Sequence, residues 1–404
     1  MRRLRTGGLV VALFALLGVA SGCGSAPASS AVAAARANAR HEPVATPTGI
    51  TASQVIGDKE HGIVPPIQGD TKYLKHADIF TGISCAGSQC AAVGFYYYGV
   101  SPKNPERTLA ELWTGTTWRL QQSPDGSLAA VSCAAPGSCL AVGSPVTADS
   151  AGRWRVVAKT SDMVAVSCAS ADACVAVGWA AATRLRYATW NGQTWRTGTM
   201  HAPPRPAEEA SVGSVSCASA DDCVAVGDYA YGLTAKPSPG NRDRTLAEQW
   251  NGHAWHLLPT VNVSHSNALT VVSCAAPDDC TAIGENTSAP LAEHWNGKTW
   301  RVEPVPTVSS VGNLQLTGLS CPAAHFCVAT GTYQVEAIAE TWDGRKWRLT
   351  VLPMPPTMSD VIGLSGVSCA STRTCMTVGD DAFGTFAELF EAGKWHVTAT
   401  RNPL

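Results

Sequence analysis

Charged residues are scarce in this chain of 404 residues: Asp, Glu, Lys and Arg together make up 15% of it, and its formal net charge is −2. No basic block is present, so the electrostatic footprint of a nucleic-acid-binding protein is missing and nucleic acid is excluded as an expected partner. Aromatic residues make up only 7%, whereas 37 Gly and 25 Pro interrupt the chain often. This composition favours many short strands joined by turns over long helices.

The motifs that usually carry cofactor or metal chemistry are also missing. The chain has no glycine-rich phosphate loop, no His-Glu metal helix, no G-x-S-x-G elbow and no Asp-x-Asp calcium loop. A Ser-His-Asp triad needs no proximity in the sequence, but no residue points to one. The sequence therefore predicts neither a cofactor nor a metal ion and indicates no catalytic residue.

Cysteine, in contrast, is frequent and regularly spaced. An even set of Cys at a repeated spacing in an exported chain predicts disulfides. A metal site is the alternative, but no His recurs beside the pairs to complete a ligand set. Of the 15 Cys, all but one fall into close pairs: Cys85/Cys90, Cys133/Cys139, Cys168/Cys174, Cys217/Cys223, Cys274/Cys280, Cys321/Cys327 and Cys369/Cys375.

The remaining cysteine, Cys23, closes a secretory signal. Three Arg within the first five residues precede an apolar run from Leu9 to Val19, which is too short and wrongly flanked for a spanning helix. Ala20-Ser21-Gly22 directly before Cys23 resembles the lipobox of bacterial lipoproteins, with Ala20 where Leu is usual. The resemblance implies that residues 1–22 are a signal peptide and that Cys23 carries the lipid. A secreted protein cut nearby is the alternative.

Residues 23–76 are rich in Ala, Ser and Pro and have no sustained apolar period. We expect a disordered tether there, because such a segment cannot bury enough apolar surface to fold. Its mean reach would be about 40 Å. The protein is therefore expected to be exported and held at the outer face of the cytoplasmic membrane, touching the membrane through its lipid alone.

The rest of the chain repeats one unit seven times, and the first half of the unit is a hairpin. In the unit that contains Cys274 and Cys280, short apolar runs at 269–273 and 281–284 flank five turn-forming residues. The Cys pair is therefore predicted to close a tight hairpin.

The second half of the unit is another predicted hairpin. Trp250-Asn251-Gly252-His253 places Asn-Gly where a two-residue type I′ turn needs positive φ, which would pair residue 250 with 253 and residue 248 with 255. Glu248, Trp250 and Trp255 then share one face, because cross-strand partners point the same way. We expect the next unit to cover this Trp face. The Asn-Gly or Asp-Gly pair recurs after Trp190, Trp295 and Trp342.

Two hairpins per unit make a four-stranded sheet of about 45 residues, the size of a propeller blade. One such sheet cannot bury its Trp face alone, but a closed ring buries all of them. The sequence therefore predicts an all-β, seven-bladed β-propeller over residues 77–404, expected to be a monomer. An open β array or two sandwiches are the alternatives.

Two features of the ring are irregular. Blade 2 keeps only Arg153-Trp154-Arg155 of the second hairpin, so its third strand is predicted to be missing or frayed. The array starts and stops near unit boundaries, so no strand is expected to be exchanged between its ends. Closure is then expected from face packing or from the segment before Ile83.

The repeat resembles known sequences at two levels. Val226-Gly227, Trp250 and Trp255 correspond to the glycine doublet, Tyr and Trp of the kelch repeat, with one Gly fewer, Trp for Tyr, a shorter turn and added disulfides. The pattern S-C-x5-C-x-A-V-G … A-E-x-W-N-G-x-x-W is similar to repeats of exported actinobacterial proteins. The resemblance covers most of the chain, implies a propeller and brings no catalytic residues.

Function is expected where the repeats differ. The Cys loops and Asn-Gly turns should lie at one end of the ring and the longer connections at the other, and binding sites on rigid scaffolds usually use such loops. The five repeated Glu (Glu111, Glu248, Glu293, Glu340, Glu388) are interpreted as structural. Candidate ligand-binding residues on the long loops are Phe95, Tyr96, Tyr97, Tyr98, Trp179, Asp228, Tyr229, Tyr231, Glu285, Tyr333, Asp380 and Asp381.

Aromatic rings with carboxylates can stack on sugars and hydrogen-bond to them. The leading hypothesis is a surface-tethered scaffold that binds an envelope protein or glycan. A carbohydrate-active lyase or hydrolase is the alternative and requires two carboxylates facing one pocket, about 5 to 10 Å apart. A purely structural envelope protein is the third possibility.

Overall fold

In a computed structural model, the chain is described over residues 76–98, 106–159, 162–181, 183–201, 203–204, 207–231, 242–287, 289–306, 314–334, 336–353, 363–381 and 384–403. These residues form 28 strands in seven four-stranded antiparallel sheets. The signal segment, Cys23 and the tether lie outside the described residues. Within the described part, no helix is long and apolar enough to cross a membrane.

Each of the first four blades is a meander of consecutive strands. Blade 1 consists of β1 (His76–Ala86), β2 (Gln89–Tyr98), β3 (Arg107–Trp113) and β4 (Trp118–Leu120). Blade 2 consists of β5 (Ser127–Ala135), β6 (Ser138–Ser144), β7 (Val146–Ser150) and β8 (Arg153–Ala158). Blade 3 consists of β9 (Met163–Ser170), β10 (Ala173–Ala181), β11 (Arg184–Trp190) and β12 (Trp195–Thr199). Blade 4 consists of β13 (Glu209–Ser219), β14 (Asp222–Tyr231), β15 (Arg242–Trp250) and β16 (Trp255–Leu258).

The last three blades repeat the same order. Blade 5 consists of β17 (Asn267–Ala276), β18 (Asp279–Asn286), β19 (Ala289–Trp295) and β20 (Trp300–Glu303). Blade 6 consists of β21 (Leu314–Ala323), β22 (Phe326–Tyr333), β23 (Glu336–Trp342) and β24 (Trp347–Val351). Blade 7 consists of β25 (Gly363–Ser371), β26 (Thr374–Asp381), β27 (Gly384–Glu391) and β28 (Lys394–Thr398). The predicted all-β, seven-bladed propeller is confirmed.

Blade 2 is complete, so the expected loss of its third strand is wrong. Strand β7 pairs with both β6 and β8, although it is only five residues long. Its Thr147 lies opposite Ala141, at the register position that Glu248 occupies opposite Ala225 in blade 4. A strand can thus persist without the A-E-x-W pattern, because the ladder depends on backbone pairing and on burial between its neighbours.

The ring closes without exchanging a strand between the chain ends. All four strands of blade 1 and all four of blade 7 come from continuous segments, and β1 packs against β25. The 7/1 interface buries Phe80 and Trp118 of blade 1 with Met376 and Val378 of blade 7. Closure therefore rests on the packing of sheet faces, and the segment before Ile83 takes part in it through Phe80, so the two expected sources of closure act together.

A ring of hydrogen bonds explains the repeated Ser-Cys dipeptide. In each blade the backbone N–H of the first Cys donates to the hydroxyl of the Ser that precedes Cys in the previous blade, at 2.9 to 3.0 Å. Cys85 N–H donates to Ser368 Oγ at 2.9 Å and so joins the chain ends. The serine is thus a connector between blades rather than a reactive group.

The disulfides form as predicted, one in each blade. In blade 4, Cys217 and Cys223 are direct partners across the β13–β14 ladder. All Cys of the described residues are used in this way. Seven disulfides in one domain indicate an oxidising, extracellular environment.

The two halves of the disulfide differ in depth in every blade except blade 6, where both Cys321 and Cys327 are buried. A clasp on a tight turn is expected near the surface, but the second Cys of every pair is at most 7% exposed and belongs to the hydrophobic core: Cys90, Cys139, Cys174, Cys223, Cys280, Cys327 and Cys375. In six blades this Cys lies opposite an aromatic residue at or next to the end of the third strand, as Cys223 lies opposite Trp250. In blade 2, Cys139 lies opposite Asp149 instead. These cysteines are therefore core residues, which the sequence pattern did not reveal, and they are not part of a surface site.

The second hairpin differs from its prediction. Trp250 pairs with Trp255, so four residues form the loop, and Asn251 N–H donates to Ala254 O. The side-chain Oδ1 of Asn251 accepts the N–H groups of His253 and Ala254, at 3.0 and 2.9 Å. Asn therefore closes the loop through its side chain, and only Gly252 needs a positive φ, of 87°.

The predicted sharing of one face by Glu248, Trp250 and Trp255 is confirmed, but the neighbour that covers this face is the preceding blade. The ring centroids of the two indoles lie 5.7 Å apart, and the ring centroid of Tyr187 in blade 3 lies 5.1 Å from that of Trp250. Val177 of blade 3 packs in the same cluster. The pattern gives the buried face, whereas the fold decides which neighbour meets it.

The repeated Glu residues are buried in these interfaces, and three of them accept a backbone N–H from the incoming link. Glu248 accepts from His201 at 3.0 Å, Glu293 accepts from Val261 at 3.3 Å and Glu111 accepts from Arg401 at 2.8 Å. Each donor stands six residues after the fourth-strand Trp of the preceding blade. The carboxylate thus positions the link between blades.

Two of the repeated Glu lack this donor. Six residues after Trp300 and Trp347 the chain has Pro306 and Pro353, and proline has no N–H. Both carboxyl oxygens of Glu340 and of Glu388 have no hydrogen-bond partner among the described residues, and both side chains are fully buried. The link sequence therefore determines which interfaces satisfy their buried acid.

Candidate functional site

The two ends of the ring differ in the way that the sequence predicts. Each Cys loop and each turn between the third and fourth strands lies at one end, which we call the turn face. The connections between the second and third strands, and the links between blades, lie at the other end, which we call the loop face. The candidate residues follow the A-V-G segment of the second strand and therefore lie toward the loop face.

Among the described ladders between second and third strands, that of blade 4 extends furthest toward the loop face. Strands β14 and β15 stay paired from Cys223/Trp250 as far as Tyr231/Arg242. At Gly227 the inner strand comes so close that a Cβ would lie 2.0 Å from Ser211 O. Beyond this contact the side chains of blade 4 are held on strands rather than on a loop.

Asp228 is partly buried at the edge of this extension. Its carboxylate accepts a hydrogen bond from Ser211 Oγ at 2.6 Å. Burial raises the pKa of Asp228, and the nearby carboxylates of Asp243, Glu209 and Glu285 raise it further. The negative potential here favours a ligand with hydroxyl or cationic donors.

Arg244 joins Tyr231 to the next blade. Its Nε and Nη2 donate to Tyr231 Oη at 3.4 and 3.3 Å, and its Nη1 donates to Ser264 O at 3.2 Å. The Arg244 hydrogen bond lowers the pKa of Tyr231. Asp243 accepts from Ser266 Oγ in the same link. We call Ser211, Asp228, Tyr231, Asp243 and Arg244 the blade 4 platform.

The link that carries Ser264 and Ser266 is itself fixed. Asn267 is fully buried, and its Oδ1 accepts the N–H groups of Val263 and Ser264, both at 3.1 Å. Asn267 Nδ2 donates back to Ser264 O at 2.9 Å. The platform is therefore preorganised from both blades, which reduces the entropy lost when a ligand binds.

Two other candidate aromatics stand on the second strands of blades 3 and 4 and differ in exposure. Tyr229 packs against the core between blades 3 and 4. Trp179 of blade 3 is 43% exposed, which is unusual for so large an apolar side chain. Trp179 is therefore available to a ligand, whereas Tyr229 mainly packs.

The carboxylates of Asp228 and Glu285 occupy equivalent positions in blades 4 and 5. Asp228 is two residues after Val226, which faces blade 5, and Glu285 is two residues after Ile283, which faces blade 6. Side-chain alternation directs these two carboxylates toward different interfaces, but the charge of Glu285 still raises the pKa of Asp228, so the two groups are neighbours.

A second group of candidates lies on blades 7 and 1. Burial and the charge of Asp381 raise the pKa of Asp380 to about 7. Asp381 accepts the N–H of Gly384 at 3.0 Å. The two carboxylates are consecutive on β26 and so point to opposite sides of their sheet.

The blade 1 tyrosines stand on β2. Tyr96 lies opposite Asp78 and packs against the 7/1 interface, and Tyr97 lies opposite Ala77. Phe95 is partly buried beside them, and the side chain of Tyr98 lies outside the described residues. These aromatics are therefore far around the ring from the blade 4 platform.

Tyr333 lies in the core of blade 6. It is only 7% exposed and packs with Leu316 and Ile338. Its packing in the core accounts for Tyr333 without a ligand-binding role. In the part of the chain that the structure describes, no group of three or more His, Cys, Asp and Glu could hold a metal ion.

Sequence reasoning missed Asp243, Arg244 and Ser211, which complete the platform, and also the buried Asp78. Asp243 and Arg244 lie within the stretch between Gly227 and Leu246, where the repeats differ most. Their role depends on a register that pairs Tyr229 with Arg244 and Ala230 with Asp243. The available signal was the Arg-Asp-Arg run that this unit carries just before its third-strand A-E-x-W pattern.

No family profile matches the sequence, and neither does any curated protein. Solved structures do match. The β-propeller domain of the Trilobed protease from Pyrococcus furiosus, whose structure revealed an open velcro topology, aligns with a TM-score of 0.54 at 9% identity, over 81% of this chain and 99% of that one.

Two further propellers are similar. YCF48 from Cyanidioschyzon merolae aligns with a TM-score of 0.50 at 12% identity, over 78% of this chain and 95% of that one. The Cps50 (Swd1) propeller domain of Myceliophteria thermophila aligns with a TM-score of 0.51 at 9% identity, over 78% and 98% of the two chains. These likenesses support the propeller fold and, at such low identity, the fold alone.

Proposed function

We propose that this protein is a surface-tethered extracellular binding lipoprotein, of the kelch-like repeat type found in exported actinobacterial proteins, and that it recognises an envelope glycan at the blade 4 platform. The observation that carries the proposal is a group of polar side chains toward the loop face that are each held by a hydrogen bond: Asp228 by Ser211, Tyr231 by Arg244 and Asp243 by Ser266. The frame of the blades repeats, whereas this group does not. A propeller that serves as a binding scaffold is compatible with this arrangement.

The chemistry of the platform suits sugar hydroxyl groups. Carboxylates accept hydrogen bonds, and the Arg244 guanidinium donates them while its Cζ lies over the Tyr231 ring, 6.0 Å from the ring centroid, so charged and aromatic groups stand side by side. The exposed Trp179 of the neighbouring blade adds a second ring for stacking. A mixed set of this kind orients a polyhydroxylated ligand without requiring catalysis.

Loss of the platform should weaken glycan binding. Replacing Asp228 with Asn together with Arg244 with Ala is expected to lower the affinity about tenfold or more, because each lost charge-assisted hydrogen bond contributes about 1.5 kcal/mol or more. A glycan array of envelope polysaccharides, followed by calorimetry on the hits, measures this change. The paired exposed variant Asp278→Asn with Arg301→Ala, on the turn face of blade 5, should bind normally.

The outcomes separate the candidates. An equal loss of glycan affinity in the platform variant and in the turn-face variant would show that the platform is not the glycan-binding site. If the array is silent but a pull-down from envelope extract yields a protein that the platform variant fails to capture, the ligand is a protein. Silence in both assays would refute binding at this face.

The proposed anchor is tested at Cys23. Metabolic labelling with a palmitate analogue is expected to mark the wild type and to leave Cys23→Ala unlabelled, because acyl chains of bacterial lipoproteins are attached to that residue. The Cys23→Ala protein should also appear in the medium. An unlabelled wild type would refute the anchor and leave a secreted protein.

A further inference from the structure

The turn face divides into two sectors of different charge. The Cys loops of blades 3, 4 and 5 all carry Asp, namely Asp172, Asp221, Asp222, Asp278 and Asp279. The Cys loops of blades 6, 7, 1 and 2 carry no acidic residue in the described segments 322–326, 370–374, 86–89 and 134–138. They contain His325 and Arg373 instead. The acidic groups of the Cys loops are therefore confined to one side of the face.

The remaining turns increase the difference. Blades 6, 7, 1 and 2 expose a set of basic residues at or beside their turns that we call the basic sector: Arg345, Lys346, Arg348, Arg373, Lys394, Arg119, Arg153 and Arg155. Two acidic residues are exposed among them, Asp343 and Glu391. Asp343 forms an ion pair with Arg348. The basic sector keeps a clear excess of positive charge.

Ring closure makes this sector continuous. Blades 6 and 7 end the chain and blades 1 and 2 begin it, so their basic residues are far apart in the sequence. Packing of β1 against β25 brings them side by side. The chain as a whole has a net charge of −2, so this surface is positive in spite of the overall balance.

We propose that the basic sector docks the turn face on the anionic phospholipid headgroups of a bilayer, which replaces the expectation that the protein touches the membrane through its lipid alone. Short loops at one end of four adjacent blades present their charges over a broad front, which suits a charged plane. Basic residues near such a surface each strengthen binding, and the effect falls off within a Debye length. Docking in this way would direct the loop face, with its blade 4 platform, away from the membrane.

The proposal rests on the charge distribution and is independent of glycan binding. An anchor at Cys23 would only raise the local concentration of the domain at the bilayer. Binding is therefore measured with the full chain carrying Cys23→Ser, which cannot be lipidated. The probe is sedimentation with vesicles of phosphatidylcholine and phosphatidylglycerol, compared with vesicles of phosphatidylcholine alone.

The Cys23→Ser protein should bind the anionic vesicles, lose binding as salt is added, and ignore the neutral ones. Adding Arg345→Ala, Lys346→Ala and Arg373→Ala should lower the partition coefficient about tenfold or more. The matched control changes three basic residues of the same face in blades 3 and 5: Arg196→Ala, Lys298→Ala and Arg301→Ala. It should lower binding by less than about threefold.

Three results would overturn the proposal. One is a lack of binding to anionic vesicles at low salt. Another is an equal loss in the basic-sector variant and its control, which would indicate unspecific attraction. The last is binding to soluble polyphosphate with none to vesicles, which would assign the sector to a flexible polyanion. Thermal melting of each variant verifies that these exposed substitutions leave the fold intact.

Discussion

Replacing Glu388 or Glu340 with glutamine is expected to stabilise the propeller at alkaline pH and to leave it nearly unchanged at pH 5. Both carboxyl groups are fully buried and lack the linker N–H that Glu248 accepts. Burial raises the pKa of Glu340 from its ordinary value of 4.5 to about 8. Burial also raises the pKa of Glu388 well above 4.5.

The sign of the effect follows from proton linkage. Between pH 4.5 and about 8 the folded state keeps a proton on Glu340 that the unfolded chain has lost. The free energy of unfolding therefore falls as pH rises through this range, by up to about 1.4 kcal/mol per pH unit for each such group. Glutamine cannot ionise, so the variant loses this slope.

Urea unfolding of the wild type and the two variants at pH 5, 7 and 8.5 measures the slopes. Glu248→Gln is the matched control, because burial raises the pKa of Glu248 only to about 7 and its carboxylate already accepts the His201 N–H. The increase in the free energy of unfolding at pH 8.5 should be smaller for Glu248→Gln than for the Glu340 and Glu388 variants. A wild-type stability that does not change between pH 5 and 8.5 would contradict the argument.

Restoring the missing donor gives an independent check. Pro353→Ala introduces an N–H in the link to blade 7, at the position equivalent to that from which His201 donates to Glu248. A hydrogen bond to the Glu388 carboxylate would lower its pKa, so the variant should have a shallower decline of stability at high pH. An unchanged decline would show that the absence of the N–H is not the cause.

Reduction of the disulfides is expected to prevent folding. Each bridge closes a loop of only a few residues and stabilises the fold by about 2 kcal/mol, so seven contribute about 14 kcal/mol. This sum is near the upper end of the total stability of a typical domain, about 5 to 15 kcal/mol. Protein that is reduced in denaturant and alkylated should therefore fail to regain its tryptophan fluorescence and near-ultraviolet dichroism on dilution.

A single bridge should matter far less. The double variant Cys217→Ala and Cys223→Ala is expected to fold and to lose about 2 kcal/mol of stability. Unreduced protein taken through the same denaturation and dilution controls for recovery. Cooperative refolding of the fully alkylated chain, with a melting temperature near that of the native protein, would show that the interfaces alone suffice.

Much of the fold could be predicted because each repeat carries the residues that define its two hairpins. Paired Cys at fixed spacing indicate the first hairpin, and two Trp at fixed spacing indicate a face that one sheet cannot cover. The turn was mispredicted, since Asn251 was expected to adopt a positive φ, whereas it closes the loop by side-chain hydrogen bonds. Local sequence patterns fit both turn geometries, and the pairing of Trp250 with Trp255 decides between them.

The candidate site was only partly predictable. Asp228, Tyr231 and Trp179 were found because they follow the A-V-G segment where the repeats diverge. Arg244 and Ser211 were missed, because their contact with Tyr231 and Asp228 depends on cross-strand register and on the neighbouring strand. Tyr333 is the opposite case. It also follows the glycine of a second strand, and the sequence made it a candidate, but packing in blade 6 buries it.

The sequence by itself determined the blade, the number of blades and the chemical environment, because hydrophobic alternation, turn residues and cysteine spacing act within one unit. Only the tertiary structure decided how the units meet. It showed that the preceding blade covers each Trp face, that Ser368 joins the chain ends through Cys85, and that proline at two links leaves Glu340 and Glu388 unsatisfied. These contacts join residues distant in sequence, and their geometry is set by the closed ring.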